Sequence, residues 1–319
     1  MTMIFDQSKE QLVGVVSAIC AYSLWGILPI YWKLVGNVPS LEVLAHRFIW
    51  SFIFLALVIL LSGKLSSFTG ELRQLAWQGK KALGVIAASA LLTANWFTYI
   101  WAVNTDNIVE CSLGYYINPL VSVMLGIIVL KEKLSFWQTV SFILAAVGVL
   151  NMTVHYGAVP WIALTLALTF GMYALIKKMV HLGAVTGITL ETLLIFPFML
   201  TFLSHLHYHG NGAFGAAAPG TSGLLMGAGV ITAVPLVLFA TGATRLPLSV
   251  IGFLQYIAPT LMLVCGVILY HEPFTQVHLT SFGFIWTALT IFSLAKTSLF
   301  MRLEHIFIKK PAQKRDNAQ

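Results

Sequence analysis

Apolar residues run along this chain in blocks of about 20, the length that crosses a bilayer as a helix. Polar residues collect in the gaps between the blocks. Ten spans are read from this pattern: 11–35, 42–62, 82–103, 110–130, 135–153, 159–178, 187–204, 222–243, 248–270 and 276–298. Several gaps are so short that neighbouring spans are expected as antiparallel hairpins. The longer gaps, 63–81 and 205–221, are read as loops, and the tail beyond residue 298 is basic.

One segment occurs twice. Tyr116-Ile117-Asn118-Pro119, Gly126 and Glu132 return 140 residues later as Tyr256-Ile257-Ala258-Pro259, Gly266 and Glu272, with no gap. A second register, at 145 residues, pairs Trp25-Gly26 with Phe170-Gly171 and Lys33-Leu34-Val35 with Lys178-Met179-Val180. Self-similarity of this kind marks a duplicated unit. The expected organisation is an N-terminal tail (1–10), a first five-helix repeat (11–153), a second (154–298) and a basic C-terminal tail (299–319). An odd number of spans per repeat inserts the second copy upside down. The fold class is therefore an all-α integral membrane protein with ten transmembrane helices as two inverted five-helix repeats.

Composition supports the membrane reading. Hydrophobic residues make up 58% of the chain and charged residues 9%, against roughly a quarter charged in a soluble domain. The net charge of +7 does not indicate nucleic acid, because the charges sit in short gaps between apolar runs. With the N-terminus in the cytoplasm, every Lys and Arg except Lys33 and Arg47 falls on the cytoplasmic side, as the positive-inside rule requires. Both termini are then cytoplasmic. The first apolar run lacks a small-residue cleavage site and is expected to stay as a helix. Cys20, Cys111 and Cys265 lie far apart inside apolar runs and read as packing residues. No GxxxxGK[ST] loop occurs, so direct ATP drive is not expected, and no cofactor is implied.

Polar side chains within a bilayer should face a cavity or a partner. At 100° per residue, Cys111, Ser112, Tyr115, Asn118 and Ser122 share one face of the fourth span, beside Tyr116. Gly252, Gln255 and Pro259 share one on the ninth, beside Tyr256. Asn95 and Tyr99, then Thr165, Thr169 and Tyr173, then Tyr22, Trp25 and Pro29, make three further stripes. Trp25, Asn95, Tyr99, Tyr115, Tyr116, Asn118, Thr169, Tyr173, Gln255 and Tyr256 are thus candidates for a central substrate cavity. Aromatic walls with a few hydrogen-bonding groups suit amphipathic organic solutes. The alternative is that small polar residues serve helix packing and aromatics sit in interface belts.

Pro119 and Pro259 lie inside their spans, where each removes a backbone hydrogen bond; they are hinge candidates or static kinks. Arg47, Glu110 and Glu191 are the ionisable candidates for coupling, with protons as the coupling ion. Arg47 has Glu110 or the competing Glu42 as its expected partner, and structural ion pairs are the other reading. Glu132 and Glu272 are expected to tie down the hairpins that follow them. His205, His207 and His209 fall in a loop read as flexible, so no metal site is assigned. Gly223 and Gly227 suit either a dimer seam or packing within a monomer, and both monomer and homodimer stay open.

The duplicated five-helix unit and the Pro-x6-Gly-x5-Glu pattern in both halves resemble the EamA-type drug/metabolite transporters. Several strings resemble the RarD branch in particular: Trp25-Gly26-Ile27-Leu28-Pro29, His46-Arg47-Phe48-Ile49-Trp50-Ser51, Asn95-Trp96, Ile100-Trp101-Ala102-Val103-Asn104, Ser112 to Leu120, Ile188-Thr189-Leu190-Glu191-Thr192 and Gly252 to Thr260. The resemblance implies a transporter in the bacterial inner membrane that exports a small amphipathic metabolite or drug, by alternating access within membrane lipid. The alternatives are a passive pore and a membrane-embedded enzyme acting on lipid-like substrates. The acidic residues are too scattered to support the last.

Overall fold

The structure, a computed structural model, describes residues 2–104, 108–157, 160–215, 218–269, 275–295, 297, 300 and 302, without the side chains of 2–8, 76, 100, 103–104, 108–110, 112 and 156. Its regular elements are all helices: α1 (Thr2–Leu34), α2 (Ser40–Leu61), α3 (Leu65–Trp77), α4 (Gly79–Asn104), α5 (Ile108–Ile128), α6 (Phe136–Tyr156), α7 (Trp161–Val180), α8 (Ala184–Tyr208), α9 (Pro219–Arg245), α10 (Leu248–Gln255), α11 (Ile257–Leu269) and α12 (Gln276–Leu294). Among the described residues, nine spans are long and apolar enough to cross a membrane, counting α10 and α11 as one; α5 adds the shorter apolar stretch Leu113–Ile128. The chain is an all-α, multi-spanning membrane protein. Leu61, Ile128 and Phe198 point outward with 86, 67 and 68% exposure, as expected where the surrounding solvent is hydrocarbon.

Four boundaries differ from the sequence pattern. Helix α1 begins at Thr2, so the described part of the N-terminal tail is helical. The gap at 63–81 holds α3, whose Leu65, Phe68, Leu72 and Leu75 recur at helical spacing. A screen for long apolar blocks passes over such a segment, because only one of its faces is apolar. Leu75 packs with Val85, Val180 and Leu190, and Glu71 accepts a hydrogen bond from the Gly183 amide at 3.3 Å. Helix α8 continues through His205 and His207, with His209 as its C-cap, so these histidines close a helix and do not lie in a loop. Finally, the ninth span breaks at Tyr256 into α10 and α11. Pro259 has no N–H for the Gln255 carbonyl four residues earlier, and its ring crowds that carbonyl. Pro119, in contrast, lies within a continuous α5.

The chain forms two compact units, each drawing on both sequence halves: Met1–Leu130 with Val159–Pro273, and Lys131–Ala158 with Phe274–Gln319. In the larger unit α1 packs on α9 and α11, while α7 packs on α4 and α5; α2 lies against α8 and α9, and α5 against α10. The contacts are close because small residues line them. Ala18, Ala21, Ala163, Ala167, Ala240 and Ala243 are fully buried. A methyl group at Gly26 would lie 2.6 Å from Leu261 Cβ, and one at Gly171 would lie 2.8 Å from Val121 Cγ1. Gly26 and Gly171 correspond in the 145-residue register, and Val121 and Leu261 in the 140-residue register. Gly227 faces the Tyr31 hydroxyl of α1, so this glycine packs within the chain.

The smaller unit pairs α6 with α12. Asn151 donates to Thr280 Oγ1 at 3.1 Å and to Ser281 Oγ at 2.9 Å. Each helix starts with a capping box, Ser135 with Gln138 and Thr275 with His278. These boxes satisfy amides that a helix N-terminus leaves open, and they also stand 140 residues apart. Glu272 lies outside the described residues.

Candidate functional site

The larger unit encloses a cavity of about 140 Å³. Helix α1 contributes Tyr22, Trp25 and Trp32 to its wall, α2 Arg47, α4 Asn95, Trp96 and Tyr99, α5 Tyr115 and Asn118, α7 Phe170, α10 Gln255, and α11 Pro259 and Met262. These residues occupy the C-terminal halves of α1 and α4 and the N-terminal halves of α2 and α7, so the cavity lies toward one end of the bundle. The other end is filled by buried residues, among them Ala21, Ala88, Leu175, Ile188, Ala243 and Leu248.

Packed aromatic rings divide the two. Trp25 meets Phe170 edge to face, with centroids 5.7 Å apart at 80°. Phe239 lies behind both, 5.7 Å from Trp25 and 5.3 Å from Phe170, and Tyr173 stacks on Phe239 at 6.0 Å. Below the rings is a buried polar cluster. Lys177 Nζ donates to Glu191 Oε1 at 2.7 Å and the Tyr173 hydroxyl donates to Oε2 at 3.0 Å. Lys177 and Glu191 are 8 and 2% exposed. Ser89 donates to the Glu191 backbone carbonyl at 2.9 Å.

Arg47 is the charged residue of the cavity wall. Its guanidinium carbon lies 4.1 Å from the Trp96 ring centroid and 4.8 Å from that of Trp32. Its Nε donates to Thr232 Oγ1 at 3.0 Å. Among the described residues no carboxylate lies within ion-pair distance of Arg47, so the expected pair with Glu42 does not form. Glu42 instead accepts from the Ala213 amide at 2.7 Å, one helical turn before His46, and the Glu110 side chain is outside the described residues. Removing an ion from water costs several kcal/mol even after relaxation. A cation–π contact returns roughly 0.5–2 kcal/mol. Two indoles and one hydroxyl therefore offset the burial of this charge only in part.

Asn95 spends its amide N–H groups on Leu166 O at 2.9 Å and Thr169 Oγ1 at 2.8 Å. Its carbonyl accepts no hydrogen bond among the described residues. The Ser122 hydroxyl lies 3.4 Å from both Asn118 Oδ1 and Gln255 Oε1, and its single proton serves one of them at a time. Tyr99 and Tyr115 meet at 6.1 Å. Of the sequence candidates, then, Trp25, Asn95, Tyr99, Tyr115, Asn118, Gln255 and Pro259 reach the cavity together with Arg47. Thr169 supports Asn95 from behind. Tyr173 is diverted to Glu191. Tyr116 and Tyr256 turn away from the wall; the Tyr116 hydroxyl lies 3.5 Å from Pro259 O, and Tyr256 is 1% exposed with an unpaired hydroxyl among the described residues.

Trp32, Trp96 and Phe170 line the cavity without having been singled out. Phe170 had a signal, since it corresponds to Trp25 in the repeat. Trp32 and Trp96 had none, because an indole near the end of a span reads equally well as an interface anchor. Among the described residues no group of three or more His, Cys, Asp or Glu could hold a metal ion.

A multi-spanning helical protein with a polar-aromatic cavity inside the bundle has the build of a membrane transporter. The EamA-like transporter family matches residues 12–154. An uncharacterized transporter YojE of Bacillus subtilis is 47% identical over 91% of this chain and 96% of its own length. Protein RarD of Salmonella typhi is 40% identical over 89% and 96%. A crystal structure of a protein 18% identical in sequence superposes with a TM-score of 0.65, covering 88% of this chain and 97% of that one, which shows the same fold. The chain belongs to the EamA-like transporter family and is a close homologue of the RarD-branch proteins. It is a transporter and not an enzyme.

Proposed function

We propose that this protein is a secondary transporter of the bacterial inner membrane that moves a small amphipathic metabolite or drug outward by alternating access. Its ten spans form two inverted five-helix repeats, with both termini in the cytoplasm. The reading rests on the construction of the cavity. Its walls come from both sequence halves, and it opens toward one end of the bundle while rings and a buried ion pair fill the other. The exchange of packing partners between α1 and α7, and the matching seats of Gly26 on Leu261 and Gly171 on Val121, support the two-repeat plan.

In this mechanism the solute binds among Trp25, Asn95, Tyr99, Tyr115, Asn118 and Gln255. The filled end opens when the Trp25–Phe170 contact parts, and the α10–α11 break ahead of Pro259 absorbs the bend, with Pro119 as its weaker counterpart in α5. Glu191 carries the coupling proton. Protonation removes the negative charge that holds Lys177 and Tyr173, which loosens the filled end. With the cytoplasm on the Lys/Arg-rich side, the cavity faces outward in the state described here.

Purified protein in liposomes tests this. A thermal-shift screen of amino acids, nucleobases, sugars and amphenicols finds a solute that stabilises the folded state. Labelled solute is then followed with and without unlabelled solute in the opposite compartment. A carrier is accelerated by such loading. Flux that ignores it would indicate a passive pore and overturn the mechanism.

A further inference from the structure

We infer that the cavity selects a solute carrying a carboxylate and no cationic group, an organic acid with an apolar or aromatic body about one ring in size. This deepens the transport reading and rests on the cavity being the substrate site. The first observation is Arg47. Its Nε is spent on Thr232, it joins no ion pair among the described residues, and the rings of Trp96 and Trp32 lie 4.1 and 4.8 Å from its guanidinium carbon. What remains are the two terminal nitrogens of a residue in the cavity wall. A guanidinium edge presents parallel N–H groups that match the two oxygens of a carboxylate. The Nε bond to Thr232 and the two nearby indoles restrain the group before a ligand arrives.

The second observation is the rest of the polar lining. The Ser122 hydroxyl lies 3.4 Å from both the Asn118 and the Gln255 amide oxygen and has one proton for the two, and each amide also carries an NH2 donor. Tyr22 is 1% exposed, and its hydroxyl has no partner among the described residues. No Asp or Glu is among the described lining residues, whose side-chain acceptors, the Asn95 carbonyl and the tyrosine hydroxyls among them, are neutral. Donors and one fixed cation attract an anion. A zwitterion would bring an ammonium group with no carboxylate to receive it. Size sets the third limit. A cavity of about 140 Å³ compares with roughly 150 Å³ for one that takes up a benzene molecule. The occupant is one ring with a short charged arm, packed against Trp25, Phe170 and Tyr115.

The experiment compares matched one-ring probes on the purified full-length protein by thermal shift and by displacement of radiolabelled phenylacetate. The probes are phenylacetate, phenylacetamide, phenylalanine and phenethylammonium. Phenylacetate is expected to bind, with the amide, the zwitterion and the amine weaker by about tenfold or more, the order of one charge-assisted bidentate contact. Arg47→Gln should abolish the preference of acid over amide. Arg47→Lys, which keeps the charge but loses the fork, should retain only part of it. The acid-to-amide ratio is taken within each variant, so a general loss of stability does not imitate the effect. Equal binding of acid and amide, a preference for phenylalanine or the amine, no binding by any probe, or an unchanged ratio in Arg47→Gln would each overturn the inference. Binding of the acid without acceleration of its flux by opposite-side loading would overturn the carrier mechanism and leave the inference standing.

Discussion

Trp25 and Phe170 meet edge to face 5.7 Å apart, and they are corresponding residues of the two halves of the chain. Under the proposed two-repeat plan each repeat places an aromatic ring at the same point, and the two rings meet at the cavity wall. A contact between corresponding residues is one that an inward and an outward arrangement can both use.

Phe170→Ala should therefore act on stability and on selectivity together. Deleting a buried aromatic side chain costs about 3–5 kcal/mol in soluble cores. Phe170 is partly buried and lipid removes part of the transfer term, so a smaller loss of about 1–2 kcal/mol is expected here. The thermal midpoint in detergent should fall, and two-ring solutes that the wild-type protein excludes should gain affinity in the displacement assay.

The buried pair of Lys177 and Glu191, 2.7 Å apart, should respond unequally to single and double substitution. Glu191→Gln leaves an uncompensated cation and should destabilise by about 3–5 kcal/mol. Replacing both residues, as Lys177→Met with Glu191→Gln, should recover most of that loss. If Glu191 carries the coupling proton, the double variant should be well folded yet transport without dependence on a proton gradient. Chemical denaturation and proteoliposome flux check the two halves of this prediction separately.

Pro259→Ala restores an N–H that can reach the Gln255 carbonyl. The α10–α11 break at Tyr256 should close into a continuous helix, with a gain of at most about 3 kcal/mol. Amide exchange at 257–260 should slow, and turnover should drop several-fold with solute affinity little changed. Pro119→Ala should have the smaller effect on turnover, since α5 already runs through that position.

Glu42 holds the segment after α8 through its 2.7 Å contact with the Ala213 amide, and Phe214 covers His46 at 5.0 Å between ring centroids. Glu42→Ala should release this segment at a cost of about 1.5–3 kcal/mol, the range for a hydrogen bond to a charged group. Glu42→Gln keeps a carbonyl acceptor and should cost less. Hydrogen exchange at 211–215 reads the difference, and its absence would show that other contacts hold the segment.

What the sequence by itself determined is whatever depends on composition and period. Blocks of about 20 apolar residues can only be spanning helices, because the bilayer leaves backbone groups no other partner. The two registers of the repeat paired Trp25 with Phe170 and Gly26 with Gly171 before any contact was known. Helical periodicity brought Asn95, Tyr99, Tyr115, Asn118 and Gln255 to the cavity. Tertiary structure decided what periodicity cannot, namely which neighbour each polar face meets. Tyr173 shares a stripe with Thr169 but finds Glu191 one helix away, and Tyr116 turns toward the Pro259 carbonyl. Arg47 looked like half of an ion pair, since charges in a membrane usually pair. In the fold two indoles, from α1 and α4, and the Thr232 hydroxyl approach its guanidinium.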